Sequence, residues 1–386
     1  MPARSFGPFT SDGIPVPAGA KVQLRVTQTS GVTQNLAKLR FGVAQLEPKG
    51  SGGLLLPAIG AGGIVGGPQF VTGSWIAIAQ DAGSSTQNLS VIVGDPPETV
   101  TPEDNVTLLT GVAWSPDGAW LGLASNANGF CLMEVATGDL VANPFSTGSN
   151  VESVAFSPDG SMLACGISSA LFLVDMADQT HDDTWPSVPA FNMSWSPGGE
   201  RLATIRSSGS GSTTPQLYVI DVGTKTEESG WPALNSGARA YSSLAWSPDG
   251  EYLAVGGWNT PFWNLIRTSD RTPITVPALA GRGRAFAWSP DGQKLAIGCE
   301  QSPFLAIMDM SDPEDPVLEA NPTIAAFVLS LSWHWQGEYL AVGFGSGDRL
   351  TVLDTSDWTV LGGWPSFSNN VTAVAFAYDP VNVTSG

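Results

Sequence analysis

Histidine and cysteine are nearly absent. Two His and three Cys in 386 residues exclude a disulfide framework. No His-Glu-x-x-His, paired-cysteine zinc spacing or Gly-x-Ser-x-Gly elbow occurs. Charge is scarce at 13%, and basic charge scarcest: 16 Lys+Arg face 35 Asp+Glu, a formal −19. A surface of that sign argues against nucleic acid or an anionic membrane as main partner. Long apolar runs are lacking too. The most apolar stretch, Leu54 to Val65, is short and broken by Pro57 and several Gly, so no bilayer span is expected. Met1 to Thr10 has one basic residue and no apolar core, so it does not read as a secretory signal. No helical period longer than two turns stands out anywhere. What abounds is glycine and proline, 45 and 29 residues, beside 42% hydrophobic residues. That suits many turns around a large core rather than disorder.

The few basic residues are unevenly placed. Residues 1–49 hold Arg4, Lys21, Arg25, Lys38, Arg40 and Lys49 against Asp12 and Glu47, a net of +4, which leaves −23 for the rest. No Lys or Arg occurs between Lys49 and Arg201. A basic arm on an acidic body is either an anchor for a separate partner or an arm folded back on its own body; both readings stay open.

Self-similarity then decides the fold. Trp-Ser-Pro-Asp-Gly occurs at 114–118, 246–250 and 288–292, and Phe156 to Gly160 repeats it with Phe first. Looser copies start at Trp195, Trp333 and Phe376. The aromatic landmarks are spaced 42, 39, 51, 42, 45 and 43 residues apart. Each copy opens with an alternating apolar run. Its Pro fits the fixed φ of a turn's second position and its Gly the fourth. A second strand follows, then a third that ends in Glu134, Asp175, Asp221, Asp309 or Asp354, with Arg267 in that place in the fourth copy. A short fourth strand leads to an x-Pro signature such as Trp185-Pro or Trp231-Pro. Four short strands per roughly 43 residues is the pattern of a β-propeller.

These repeats resemble the WD-repeat family and its bacterial relatives with Ser-Pro-Asp-Gly turns, the Tol-type propellers, over about residues 70–386. The Gly-His dipeptide and terminal Trp-Asp of WD repeats are missing, so that family's buried His network cannot form. The resemblance implies fold firmly and function weakly.

The copy at Phe376 has only ten residues after it. Its first strand, Val371 to Ala377, needs partners from the other end: Gly73 to Ala79 matches a second strand, Asn88 to Val93 a third and residues 98–102 a fourth. The expected fold is therefore all-β, a seven-bladed propeller with a composite closing blade that removes the open edge. A rival eighth blade from Phe70 would need Gly62 to Gln69 as its innermost strand, which is too rich in Gly, and would orphan Val371 to Ala377. The expected domains are a small N-terminal β arm and Gly-rich linker over 1–68, with strands at Lys21 to Thr27 and Lys38 to Leu46, and the propeller over 69–386.

Little chemistry is visible. His181-Asp182-Asp183 reads as a solvated loop, His334 as a turn residue, and Cys131, Cys165 and Cys299 as core. Asp312, Glu314 and Asp315 lack the order of a calcium loop. The landmark Trp set reads as packing between blades. Five Asn-x-Ser/Thr sequons, at Asn88, Asn105, Asn192, Asn370 and Asn382, read as chance. The resemblance places second-to-third and fourth-to-first loops on one face, which gathers Arg206, Arg239, Trp258, Arg282 and Arg284 into a basic arc, either a docking site for an acidic partner or sugar carboxylate or local charge compensation. With Lys21, Arg25, Lys38 and Arg40 of the arm, these are the expected partner-binding residues. No catalytic residue, metal or cofactor is expected. The expected role is a non-enzymatic subunit of a larger protein assembly, cytoplasmic or in a virus or phage particle. The alternatives are an intracellular WD-repeat scaffold and an enzyme using the central channel. One prediction needs only the sequence. Trypsin has no site from Ser51 to Glu200, so limited digestion should cut first at Arg40 or Lys49 and leave the propeller whole on a gel. Early cuts at Arg282 or Arg284 would contradict it.

Overall fold

The computed structural model describes residues 76–81, 89–93, 98–100, 109–125, 129–135, 139–141, 150–182, 184–205, 217–232, 243–257, 260–320, 322–324, 326–345, 350–362, 364, 367 and 369–377. The chain divides into two units, Met1–Ile64 and Val65–Gly386. The expected arm with Lys21, Arg25, Lys38 and Arg40, and the expected 68/69 boundary, lie outside the described residues.

All regular structure among the described residues is β. The strands are β1 (Ile76–Asp81), β2 (Leu89–Val93) and β3 (Glu98–Val100), then six sheets in chain order. Blade one is β4 (Leu109–Trp114), β5 (Trp120–Ser125), β6 (Gly129–Glu134) and β7 (Leu140–Val141). Blade two is β8 (Val151–Phe156), β9 (Met162–Ile167), β10 (Leu171–Asp175) and β11 (His181–Asp182). Blade three is β12 (Asn192–Trp195), β13 (Arg201–Ile205), β14 (Leu217–Asp221) and β15 (Thr226–Glu227). Blade four is β16 (Leu244–Trp246), β17 (Tyr252–Gly256), β18 (Trp263–Arg267) and β19 (Pro273–Ile274). Blade five is β20 (Gly283–Trp288), β21 (Lys294–Cys299), β22 (Leu305–Asp309) and β23 (Val317–Ala320). Blade six is β24 (Val328–Trp333), β25 (Tyr339–Phe344) and β26 (Leu350–Asp354), with one bridge, Leu353 to Val360, where a fourth strand would run. Last comes β27 (Asn370–Phe376), which pairs with β1 in the order β27-β1-β2-β3. Its register, Ile76 to Phe376 and Ala79 to Ala373, makes the composite seventh blade. The inner strands neighbour one another in sequence and β27 meets β4, so seven blades close a ring. One detail departs from expectation. His181-Asp182 is strand β11, not loop, because Asp175 N–H bonds the Thr180 carbonyl at 2.8 Å and turns the chain back at once.

The Ser-Pro-Asp-Gly turn is a closed hydrogen-bond unit. In blade one Ser115 Oγ donates to Asp117 Oδ1 at 2.6 Å and accepts from Trp120 N at 2.8 Å, while the same Asp oxygen accepts from Ala119 N at 3.0 Å. Ser157-Asp159, Ser247-Asp249 and Ser289-Asp291 repeat it. The Asp thus serves the turn, as its recurrence in so many blades demands. The turn Gly has positive φ, +72° at Gly160 and +73° at Gly250. It also lies over the preceding blade's turn Pro: a Cβ on either would sit 3.4 Å from Cδ of Pro116 or Pro197.

The landmark tryptophans tie each blade to the one before. Trp195, Trp246, Trp288 and Trp333 donate their indole N–H to the carbonyls of Ala155, Ser194, Ala245 and Ala287, each just ahead of the previous landmark, at 2.8–3.2 Å. Trp114 does the same to Ala375 at 2.9 Å across the chain ends. The rings are buried in the hydrophobic seams between blades.

Ion pairs belt the outer rim from blade two to blade five. Lys225 pairs with Asp182 and stands 5.6 Å over the Trp185 ring. Arg271 pairs with Glu228 at 2.7 Å and stands 5.5 Å over Trp231. Arg267 pairs with Glu314, which also accepts from Tyr252 Oη at 2.8 Å. Lys225 and Arg271 reach back because their backbones are left-handed, φ +54° and +62°, in the turn before the fourth strand.

Two expectations follow. Trp114→Phe removes the ring-closing indole bond to the half-buried Ala375 carbonyl together with part of a buried ring, so denaturant unfolding should show a loss of at least about 1–2 kcal/mol; an unchanged midpoint would mean closure does not use it. The second concerns acid. Lys225 holds Asp182 well below its ordinary 3.8, and Arg267, with Tyr252, holds Glu314 below 4.5. Folded values lower than unfolded ones give stability that is complete above those ordinary values and is lost as pH falls beneath them. The melting temperature should therefore be flat from pH 7 to 5 and fall below about pH 4, less steeply in Lys225→Met. Equal steepness would remove the belt from the account.

Candidate interaction face

Antiparallel alternation puts the second-to-third and fourth-to-first loops on one face, where the inner strands begin. At that end β4, β8, β20, β24 and β27 each skip one residue in pairing: Thr110, Glu152, Arg284, Leu329 and Thr372. Every one lies four residues before its landmark. A bulge bends the strand and re-aims the side chain it carries. Thr110 and Thr372 use that freedom to reach the next inner strand, donating to the carbonyls of Val151 and Leu109 at 2.9 and 3.1 Å. Glu152 is half-buried there, and burial pushes its carboxyl above the ordinary range.

In blade five the bulge carries an arginine. Arg284 Nη1 lies 3.1 Å from Glu300 Oε1, and Arg282 Nη1 lies 2.9 Å from Oε2. Two guanidiniums share one carboxylate. The Arg284 guanidinium also stands 5.9 Å from the Phe327 ring of the neighbouring blade. Crowding fixes the segment: a Cβ at Gly281 would come 2.8 Å from Gln301 Cβ, and one at Gly283 2.6 Å from Phe286 Cζ. Glu300 N bonds the Arg282 carbonyl at 3.1 Å, which holds acid and base together.

Blade four supplies the adjoining loop. Phe262 is held at φ +73°, a costly conformation for a bulky residue and one that gathers at binding sites. Its carbonyl accepts from Gly257 N at 2.9 Å and Gly283 N at 3.3 Å, so it couples this loop to the arginine segment. Beside it the buried Asn264 Nδ2 has no hydrogen-bond partner among the described residues. Arg206, Arg239 and Trp258 lie outside the described residues.

Other groups resolve into structure. His334 is buried in a turn, its Nδ1 accepting from Gln336 N at 3.4 Å and its ring against Trp335, Tyr339 and Phe376. His181 is exposed on the rim. Burial raises the Cys131 and Cys165 thiols and pushes Cys299 up to about 12, which makes them poor nucleophiles. Desolvation, with Glu314 beside it, pushes Tyr252 up to about 12. Of the acidic trio, Glu314 belongs to Arg267 and Tyr252; among the described residues no group of three metal-type ligands forms.

A family model described as WD domain, G-beta repeat, matches residues 141–171 and 236–260. The chain is a seven-bladed β-propeller in which two segments are similar to the WD repeat. It is similar to a solved structure titled "Crystal Structure of Mitotic Checkpoint Complex", at 21% identity over 71% of this chain and 83% of that one, with a TM-score of 0.56. At that identity the likeness concerns the fold.

The sequence reading names Arg282 and Arg284, which the structure brings together on Glu300, and does not name Glu300, Phe262 or Phe327. Glu300 had a signal. It lies twelve residues after its landmark, where blades one to four and six have Asn126, Ser168, Ser207, Trp258 and Gly345; the composite blade has Asp81 at the equivalent register, and blade five joins such an acid to an arginine pair.

Proposed function

We propose that this propeller is a non-enzymatic protein-interaction subunit that docks an acidic segment of a partner on the face of blades four and five. The convergence of Arg282 and Arg284 on Glu300 carries the reading. It gathers two guanidiniums at one carboxylate on a body of net −23, beside the aromatic ring of Phe327. Guanidinium forks suit carboxylates, and Arg with aromatic neighbours is the composition of interface anchors. Arg206, Arg239 and Trp258 extend the arc in this reading, and Lys21, Arg25, Lys38 and Arg40 act as a separate anchor. Ser-Pro-Asp-Gly turns favour kinship with Tol-type propellers. A place in a virus or phage particle rests on composition alone. Catalysis has less behind it, since His334 is sealed in a turn and His181 stands on the rim of another blade.

The test is fluorescence anisotropy of a labelled Glu/Asp-rich peptide containing one Trp. Arg282→Glu with Arg284→Glu should weaken binding about tenfold or more. Glu300→Gln should tighten it, because it raises the local charge by one without removing a guanidinium. Binding that ignores both changes would sink the reading.

A further inference from the structure

The outer rim changes character between blades five and six. From blade two to blade five each seam is closed by a cation on a neighbouring carboxylate. In blade six the residue at the left-handed turn position is Trp358, φ +61°, which packs edge-on to Trp333 at 6.1 Å. No ion pair crosses that seam among the described residues. The exposed large hydrophobic residues among the described residues are Val317, Leu318 and Val360 at 55%, 47% and 59% exposure, and all three stand where the belt stops. Ala320 at the end of β23 shares one apolar cluster with Leu353 and Trp358 of blade six, and Val360 bridges Leu353. The three exposed side chains therefore occupy adjoining outer edges.

The backbone points the same way. β23 spans four residues, whereas β7, β11, β15 and β19 span two. It pairs with β22 alone, Met308 to Leu318 and Asp309 to Val317, and skips at Glu319, whose carboxylate is tied to Lys294. Short outer strands are one way of blunting a sheet edge. Blade five gives that up where two apolar side chains are exposed.

We propose that this edge is a second docking surface, taking an extended partner segment of alternating apolar and basic residues as an added strand. Strand addition provides affinity through the main chain and specificity through alternate side chains; successive strand residues face opposite ways, so Val317, on the blade-six side of β23 with Ala320, and Val360 would receive the apolar ones. The sign of the occupant follows from charge. Exposed Asp312 and Asp315 lead into β23 on a body of net −23, so Lys or Arg is attracted. A second copy would bring the same acidic edge and be repelled.

The full chain is titrated into labelled Lys-Val-Lys-Val-Lys-Val-Lys and into the same peptide N-methylated at alternate residues, which removes the donors along one edge. The plain peptide should bind, and methylation should cost about tenfold or more. Val317→Ser with Val360→Ser, both at exposed positions, should cost as much by removing apolar burial. Asp312→Asn with Asp315→Asn should weaken binding and flatten its salt dependence. Arg282→Glu with Arg284→Glu should not weaken it, which separates this surface from the arginine face. Equal affinity for the methylated peptide, no effect of the double serine variant, or no binding would overturn the proposal. So would a concentration-dependent dimer abolished by the serine variant, since the occupant would then be a second copy.

Discussion

The indole hydrogen bond between neighbouring inner strands is the constraint on which the rest depends. A propeller blade is a four-stranded sheet too small to bury both faces alone. Stability comes from stacking, and stacking needs register as well as area. Hydrophobic burial is non-directional. The Trp N–H to the carbonyl before the previous landmark is directional, and it recurs at five of the seven seams. The turn Pro under the next turn Gly fixes the same seam a few ångströms away. Where the landmark is Phe376 the indole is lost, and its backbone N–H instead takes Ser332 Oγ at 2.9 Å. The seam's need for a polar tie outlasts the residue that usually meets it.

This explains which features were legible in the sequence. The landmark and its turn must be chemically alike in every blade, so they repeat, and the repeat announces blade number. The composite blade was legible for the same reason: a first strand at 371–377 without a second strand has one topological remedy. The rim was not read, although it also repeats. Asp175-x-x-Asp178-Gln179-Thr180, Arg267-x-x-Asp270-Arg271-Thr272 and Asp354-x-x-Asp357-Trp358-Thr359 share one turn, in which the second Asp accepts from the Thr. The pattern was hidden because its informative position, the left-handed residue, varies among Gln, Lys, Arg and Trp. That residue answers to the neighbouring blade, not to its own turn. His181 was misplaced as loop for a related reason: a two-residue strand following such a tight turn has no period to detect.

The arginine face was half legible. Arg282 and Arg284 were visible because basic residues are rare, but their geometry depends on a bulge. A bulge is one skipped residue in pairing, and a single sequence carries no mark of it. It is nevertheless the feature that differentiates otherwise equivalent blades. The same bulged position presents Thr in blade one, Glu in blade two, Arg in blade five and Leu in blade six, all on one scaffold. Identity of the seams is what permits such variety at the bulges. A residue that takes no part in register can change without cost to the ring.

The two proposed surfaces follow from one economy of charge. With so few cations on an acidic body, each basic side chain has a large effect on the local field. On the rim, Lys225, Arg267 and Arg271 reach carboxylates across seams, Arg267 holding Asp270 as well and Arg271 sharing Glu228 with Arg201, and exposed pairs of that kind contribute little each. On the arginine face two cations likewise meet one carboxylate, Glu300. At β23 Lys294 pairs with Glu319 of its own blade, no ion pair among the described residues crosses the next seam, and apolar side chains stand there. This stretch of rim carries the exposed large hydrophobic residues of the described surface, Val317, Leu318 and Val360, beside the exposed Asp312 and Asp315. Those two properties together define a basic, apolar strand as its complement, while the opposite imbalance in blade five defines an acidic one.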